Sequence, residues 1–173
     1  MEALWLALVF TWICSRSGSN GQLNVTQISG DWHTIAIAAT EIDVITDDGL
    51  LKLFFRHLEC SKQCKEIILT FYGEVDEECE KFEVKAQNRY LDWFTFTYSG
   101  DRYFKIKYVS SASMIIFGYY LKDELYSKYV FILLGKGNSV SEADQQKFTD
   151  AYNSIGMSKE NVRYLLDKDI CPK

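Results

Sequence analysis

The chain has 173 residues, a formal net charge of -5, 47% hydrophobic residues and 15% aromatic residues. This length fits one domain, and the hydrophobic fraction excludes an intrinsically disordered chain. The charges are interspersed without a basic stripe, which argues against nucleic acid as a partner.

The first predicted element is a secretory signal peptide over residues 1–17. An apolar run over residues 3–13 is too short to span a bilayer, and small and polar residues follow it. We expect cleavage near Ser17 or Ser19, a secreted extracellular protein, and a single domain over residues 18–173. A transmembrane anchor is the alternative interpretation of the run. No later stretch predicts membrane insertion.

A candidate modification site follows the signal peptide. Asn24, Val25 and Thr26 form the sequon that N-glycosylation requires, on a segment that we expect to be exposed. We therefore expect Asn24 to be a glycosylation site.

Eight strand-like segments come next. Each is rich in aromatic and β-branched residues, and turn signals such as Asn88-Arg89 and Ser99-Gly100-Asp101 separate them. The predicted strands are Trp32 to Ala39, Leu50 to Leu58, Glu66 to Tyr72, Cys79 to Ala86, Trp93 to Tyr98, Tyr103 to Val109, Met114 to Leu121 and Tyr126 to Leu134. Short connections between them predict an all-β fold, an eight-stranded antiparallel up-and-down barrel without exposed edges.

After Gly137 the pattern changes to that of a helix. Ser139 and Glu142 resemble a capping box at its start, and Gly156 suits its end. The apolar face consists of Phe148, Ala151, Tyr152 and Ile155. We expect one C-terminal α-helix, packed outside the barrel.

Four cysteines follow the signal peptide: Cys60, Cys64, Cys79 and Cys171. In a secreted chain they indicate two disulfides, for which three pairings are possible. Cys60 and Cys64 could pair locally at a turn, which would leave Cys79 with Cys171. A metal site is the competing interpretation of the CxxxC spacing, but no CxxC or histidine partner supports it. We expect no metal and no cofactor.

Trp32 and Lys136 stand at the two ends of the predicted sheet. A tryptophan ring at the floor, with a cation across its face, would close one end of the barrel by burial and cation–π attraction. The other end would then be open, and the barrel would form an apolar cup.

Alternation along each strand predicts the wall of that cup. The inward residues are Leu51, Leu53, Phe55, Leu69, Phe71, Phe96, Tyr98, Phe104, Ile106, Tyr108, Ile116, Gly118, Val130, Ile132 and Leu134. Lys52, Phe54 and Arg56 alternate with the first three and face outward. A barrel of eight strands has room for its own side chains or one small ligand. The pattern predicts an apolar pocket in which the hydroxyl of Tyr98 or Tyr108 orients the ligand.

The sequence shows no catalytic constellation. His33 and His57 are expected on the outer face, the mature cysteines are used in disulfides, and no G-x-S-x-G motif or phosphate-binding loop is present. The leading hypothesis is a carrier that is not an enzyme. The alternatives are an interaction or inhibitory protein that acts through its loops, and a lipid-modifying enzyme.

Taken together, these motifs resemble those of the lipocalins. Gly30-Asp31-Trp32, Lys136, the helix after it and the Cys79 to Cys171 spacing carry the resemblance. More narrowly, three segments are similar to mammalian odorant-binding proteins and their aphrodisin-like relatives: Cys60-Ser61-Lys62-Gln63-Cys64, Tyr98-Ser99-Gly100 followed by Phe104, and Leu134-Gly135-Lys136-Gly137. The match covers essentially the whole mature chain.

Two positions depart from the family pattern. Ser111-Ala112-Ser113 stands where lipocalins usually carry a Thr-Asp pair, and Arg102 stands where relatives often carry asparagine at the pocket edge. The first departure fits outlier lipocalins, of which odorant-binding proteins are examples.

The resemblance implies an eight-stranded barrel with an external helix, a disulfide between Cys79 and Cys171, and reversible binding of odorants or pheromones. It also implies that the inward residues line the pocket, with Ile37 added. The implied ligand-binding set is Ile37, Leu51, Leu53, Phe55, Leu69, Phe71, Phe96, Tyr98, Phe104, Ile116, Gly118, Val130 and Ile132. We expect a small hydrophobic ligand as partner, a cell-surface receptor as a further candidate, and a monomer or weak homodimer.

Overall fold

The computed structural model describes residues 23–173, except 48, 76–77 and 124–125. The predicted signal peptide lies outside the described residues. The strands are β1 Gly30–Asp31, β2 His33–Ala39, β3 Leu53–Ser61, β4 Glu66–Val75, β5 Glu78–Tyr90, β6 Trp93–Thr97, β7 Asp101–Val109, β8 Ser113–Asp123, β9 Tyr126–Gly135 and β10 Val162–Tyr164. The helices are α1 Val25–Ile28 and α2 Glu142–Asn153, with 3-10 helices at Ile42–Ile45, Lys159–Asn161 and Leu166–Lys168.

All ten strands of the described part of the chain belong to one antiparallel sheet, which closes on itself. Its order is β1-β3-β4-β5-β6-β7-β8-β9-β2-β10. The segment around Trp32 pairs with β3 through β1, where Gly30 faces Leu58, and with β9 through β2, where His33 faces Gly135. The predicted all-β barrel with an external helix is therefore confirmed. The eight predicted strands correspond to β2–β9, and the short β1 and β10 are additional.

Several predicted strand limits are wrong. β3 begins at Leu53 because the preceding residues form a turn, in which the Lys52 amide donates to the Gly49 carbonyl oxygen at 2.9 Å. β5 continues through the predicted turn at Asn88-Arg89 and ends at Tyr90. The turn follows at Leu91, whose φ of 51° lies in the left-handed region that closes tight turns.

The helix α2 packs on the outer face of β2, β8 and β9. Phe148, Ala151 and Tyr152 of the helix share a buried cluster with strand residues such as Ala38 and Phe131. These strands are apolar on both faces because one face covers the barrel interior and the other covers the helix. Within the described residues, no helix is long and apolar enough to span a bilayer.

The predicted start of α2 is wrong by two residues. Its N-cap is Ser141, whose side chain accepts a hydrogen bond from the Asp144 amide, so Ser139 lies outside the helix. Ile155 lies two residues beyond Asn153, the last helical residue, and is 40% exposed, so it does not belong to the apolar face. Gly156 has a φ of +83°, which suits the turn that ends the helix.

The described chain contains two disulfides, one between residues close in sequence and one between residues far apart in sequence. Cys60 pairs with Cys64 across the β3–β4 connection, and Cys79 of β5 pairs with Cys171 near the C terminus. Arg56 holds the same C-terminal tail by donating to the Pro172 carbonyl oxygen at 2.6 Å and by an ion pair with Asp169 at 2.8 Å.

Candidate functional site

An apolar cavity lies inside the barrel. Its volume is about 50 Å³, counted as the space open to the centres of water-sized spheres. The lining residues are Leu51, Leu53, Phe55, Leu69, Phe96, Arg102, Tyr103, Phe104, Ile116, Gly118, Tyr119, Tyr120, Val130 and Ile132. Only Arg102 among them is charged. The wall can therefore bind an apolar ligand through complementary shape and apolar contact area.

Ten of the thirteen residues that the resemblance assigns to the pocket line this cavity. The other three, Ile37, Phe71 and Tyr98, do not line it. Ile37 is fully buried in the barrel core. The ring of Phe71 lies 5.5 Å from that of Phe55, and Tyr98 meets Phe71 edge-on at 5.1 Å. These three side chains fill the barrel beside the cavity.

Gly118 keeps part of the cavity open. It pairs with Phe104 on β7 and with Val130 on β9. A Cβ atom at this position would lie 3.0 Å from the Tyr103 carbonyl oxygen and 3.2 Å from Cγ1 of Val130. A side chain here would therefore meet both neighbouring strands.

Neither tyrosine hydroxyl that the sequence predicts as a ligand contact reaches the cavity. Tyr98 points toward Gly73, where an added Cβ would lie 3.0 Å from the hydroxyl oxygen. A register shift at Lys107 turns Tyr108 to the outer face, where its hydroxyl donates to Oδ1 of Asp144 at 2.9 Å. The prediction for Tyr108 failed because the β-bulge at Lys107 exchanges the inward and outward faces of the residues that follow the bulge.

The residues that the alternation missed are Arg102, Tyr103, Tyr119 and Tyr120. Arg102 shares the inward face with Phe104, two residues later, and the resemblance places it at the pocket edge, but the predicted ligand-binding set does not include it. The rings of Tyr103 and Tyr119 stack on one another with centroids 4.6 Å apart. Tyr120 lies two residues beyond Gly118 on β8, and that register alone could have placed it inward.

Arg102 is buried at the end of the barrel opposite Trp32. Its exposed fraction is 8%, and Nη2 donates to the Ser99 carbonyl oxygen at 2.7 Å. The guanidinium carbon lies 5.1 Å from the centroid of the Tyr120 ring, its cross-strand neighbour. Nε is buried and has no hydrogen-bond partner. Burial lowers the pKa of Arg102, and nearby Tyr120, Tyr98 and Asp101 oppose that change.

Tyr120 connects the cavity to a polar rim. Its hydroxyl donates to Oε2 of Glu41 at 3.4 Å, and Oε1 of Glu41 lies 3.0 Å from the Lys128 ammonium. Burial and the adjacent Glu41 carboxylate raise the pKa of Tyr120 to about 12. The phenol is therefore protonated at neutral pH.

The opposite end of the barrel contains Trp32. This side chain is fully buried, and its Nε1 donates to the Ile28 carbonyl oxygen of α1 at 2.8 Å. The Lys136 ammonium lies 5.0 Å from the ring centroid. The Trp32 ring therefore contacts both the end of α1 and the side chain of the exposed Lys136.

A larger groove lies outside the barrel wall. Its volume is about 510 Å³ by the same measure, and it is lined by both polar and apolar residues, including His33, His57, Arg56 and Lys173. His57 contacts Asp31 at 2.7 Å and is half exposed. Because this groove is open and partly polar, the smaller interior cavity is the better site for an apolar ligand. Neither histidine lines that cavity.

A sequence profile of the lipocalin / cytosolic fatty-acid binding protein family matches residues 29–169. The chain belongs to this family. Lipocalin Cav p 2.0101 of Cavia porcellus is 31% identical over 173 residues, which cover 99% of each protein. The odorant-binding protein of Rattus norvegicus is 27% identical over 153 residues, 88% of each.

A solved structure extends this similarity to the fold. The crystal structure of aphrodisin, a sex pheromone from female hamster, matches this lipocalin with a TM-score of 0.80 and 25% identity. The match covers 84% of this chain and 99% of that one. The narrower resemblance to odorant-binding and aphrodisin-like lipocalins is thus confirmed. Lipocalins bind small hydrophobic ligands.

Proposed function

We propose that this lipocalin is a secreted carrier that reversibly binds a small hydrophobic molecule of the odorant or pheromone class. The observation that carries the proposal is the interior cavity, whose wall is apolar apart from Arg102. The similarity to an odorant-binding protein of Rattus norvegicus supports this ligand class. We also propose that the protein works without catalysis and as a monomer or weak homodimer.

Burial of apolar surface would supply the affinity. A ligand that removes about 250 Å² of its own surface from water gains roughly 6 kcal/mol at about 25 cal/mol per Å². The matching wall area adds to this gain, while lost translation and rotation offset part of it. We therefore expect micromolar dissociation constants, which correspond to about 8 kcal/mol.

The small cavity has a consequence for binding. A ligand of this size exceeds the open space of about 50 Å³, so side chains of the wall must move outward to admit it. Phe104 lines the cavity, and its ring packs against Phe94 at 5.2 Å and Phe96 at 5.8 Å, so a shift of Phe104 would require these two rings to move with it. Aromatic side chains can reorient without a change in the strands, so we expect the barrel to keep its register.

Displacement of a fluorescent probe tests this proposal. The native protein should bind 1-aminoanthracene, and small apolar volatiles such as 1-octanol should displace it. Val130→Phe should reduce probe binding at least about tenfold, since the added ring occupies the cavity that Val130 lines. Leu121→Phe is the matched control, because it adds the same ring at a half-exposed position outside the cavity.

Two results would overturn the carrier proposal. The first is a native protein that binds neither the probe nor any volatile. The second is equal probe binding by Val130→Phe and Leu121→Phe when circular dichroism shows that both variants are folded. Secretion is tested separately, by expression of the full chain in mammalian cells and N-terminal sequencing of the protein in the medium.

A further inference from the structure

The cavity contains one feature that an apolar carrier does not require, the buried guanidinium of Arg102. Its side chain is more than nine-tenths buried, yet it makes one hydrogen bond, from Nη2 to Ser99. A buried charge is costly unless it is paired and hydrogen-bonded. Within the described part of the chain, the ion pairs do not include Arg102.

The buried Nε of Arg102 is the stronger sign of an absent partner. It is the only buried side-chain nitrogen or oxygen without a hydrogen bond among the described residues. Such orphaned donors are rare in folded proteins, and each calls for an explanation. Because Arg102 lines the cavity, an acceptor on a bound ligand would supply the missing partner.

The neighbours of Arg102 limit the charge of that acceptor. Tyr120 lies under the guanidinium, and the raised pKa of Tyr120 means that its phenol is neutral. Tyr98 is neutral as well, since burial raises its pKa. Asp101 is also near Arg102 but is exposed to solvent, so it does not replace a buried partner. One buried positive charge can be balanced by one negative charge on the ligand, whereas a dianion would leave a net charge buried. A planar guanidinium also matches the two oxygens of a carboxylate.

We infer that the cavity selects a monocarboxylate amphiphile, whose carboxylate binds Arg102 and whose apolar tail extends toward Ile116 and Ile132. This inference rests on the proposed carrier function and makes its ligand class more specific. Arg102 lies at the end of the barrel opposite Trp32, so the head group would sit near the rim formed by Tyr120 and Glu41. The tail would point toward the floor.

Matched ligands test the inference. Octanoate and 1-octanol share the same tail and differ in the head group. In competition with 1-aminoanthracene at pH 7, the native protein should bind octanoate about tenfold more tightly than 1-octanol. Because Arg102 also lines the cavity, the readout is the ratio of the two affinities: Arg102→Gln should weaken octanoate at least about tenfold more than it weakens 1-octanol. Lys107→Gln is the control, since it removes an exposed charge from the same strand.

A second measurement does not depend on whether Arg102→Gln folds. Octanoate labelled with ¹³C at the carboxyl carbon is titrated while bound to the native protein. Pairing with a guanidinium lowers the pKa of the bound acid below that of free octanoic acid, whereas apolar burial raises it. A lowered pKa supports the inference, and an unchanged or raised pKa overturns it.

The outcomes separate the two proposals. If 1-octanol displaces the probe as well as octanoate does, or if Arg102→Gln weakens both ligands equally, the carrier function stands and the carboxylate preference is wrong. If neither ligand nor the probe binds the native protein, both proposals fail.

Discussion

The ammonium of Lys136 lies 5.0 Å from the centre of the Trp32 ring and links the segment after β9 to the start of β2. Because Lys136 is exposed, its cation–π attraction should contribute about 0.5 to 1 kcal/mol. We expect Lys136→Met to lower the free energy of unfolding by this amount in urea titrations followed by circular dichroism. Lys159→Met, at an exposed position away from Trp32, is the control. Equal stability of the two variants would contradict the prediction.

The two disulfides should differ in their effect on stability. Cys79 and Cys171 are separated by 92 positions, and Cys60 and Cys64 by 4. In the chain-entropy model, a long loop of this kind contributes about 4 to 5 kcal/mol and a loop of five residues about 2. We expect the Cys79→Ser/Cys171→Ser variant to lose roughly twice as much unfolding free energy as Cys60→Ser/Cys64→Ser. The reverse order in urea titrations would be inconsistent with this account.

Asp144 should make the stability of the protein depend on pH. Burial raises the pKa of this carboxyl, but hydrogen bonds from Ser141, Ser113, Tyr108 and Lys147 outweigh burial and hold it below the ordinary value of 3.8. The contribution of such a group is complete at neutral pH. It declines as the pH falls past 3.8 and is lost below the lowered pKa of the folded state.

Asp144→Asn tests this contribution. At pH 7 we expect the variant to lose about 2 kcal/mol of unfolding free energy, since it removes charge-assisted hydrogen bonds to Tyr108 and Ser141. At pH 3 the difference from the native protein should be smaller. Asp150→Asn, an exposed position on the same helix, should show neither effect. A constant difference between pH 7 and pH 3 would argue against the role of this carboxylate.

Gly118→Ala should disturb both the fold and the cavity. The added methyl would lie 3.0 Å from the Tyr103 carbonyl oxygen, and a backbone atom in a paired strand has little freedom to move away. We expect a loss of about 1 to 3 kcal/mol in unfolding free energy and weaker binding of 1-aminoanthracene. Gly137→Ala is the matched control, because a Cβ there meets no atom within 4 Å. Comparable losses in the two variants would rule out this explanation.

The main strands could be predicted because their alternation and turn residues are local signals. The same alternation predicted ten of the residues that line the cavity, because inward and outward positions alternate along any uninterrupted strand. For Tyr108 the prediction failed because the register shifts before it. The extra residue at Lys107 carries no recognisable signature, yet it moves Tyr108 from the interior to the surface beside Asp144. The strands β1 and β10 have two and three residues, too few for a periodic pattern.

Arg102 shows a different limit of sequence reasoning. Alternation with Phe104 places it inward, but a charged side chain is usually solvated, so the two arguments conflict. Only the structure shows that the guanidinium is buried over Tyr120 and that Nε has no partner. Lys52 is a different case, because both its charge and the alternation predicted an outward, solvated side chain, yet it is buried. It is 6% exposed because its ammonium contacts Glu74 at 2.7 Å and Asp47 at 3.1 Å.

The bond between Cys79 and Cys171 makes most of the barrel part of a covalent ring. The segment between these cysteines includes β6–β9 and α2, together with the loops that join them. A protease that cuts one of these loops would leave both pieces attached through the two sulfur atoms. Such a nicked molecule would keep both pieces together until a reductant is added.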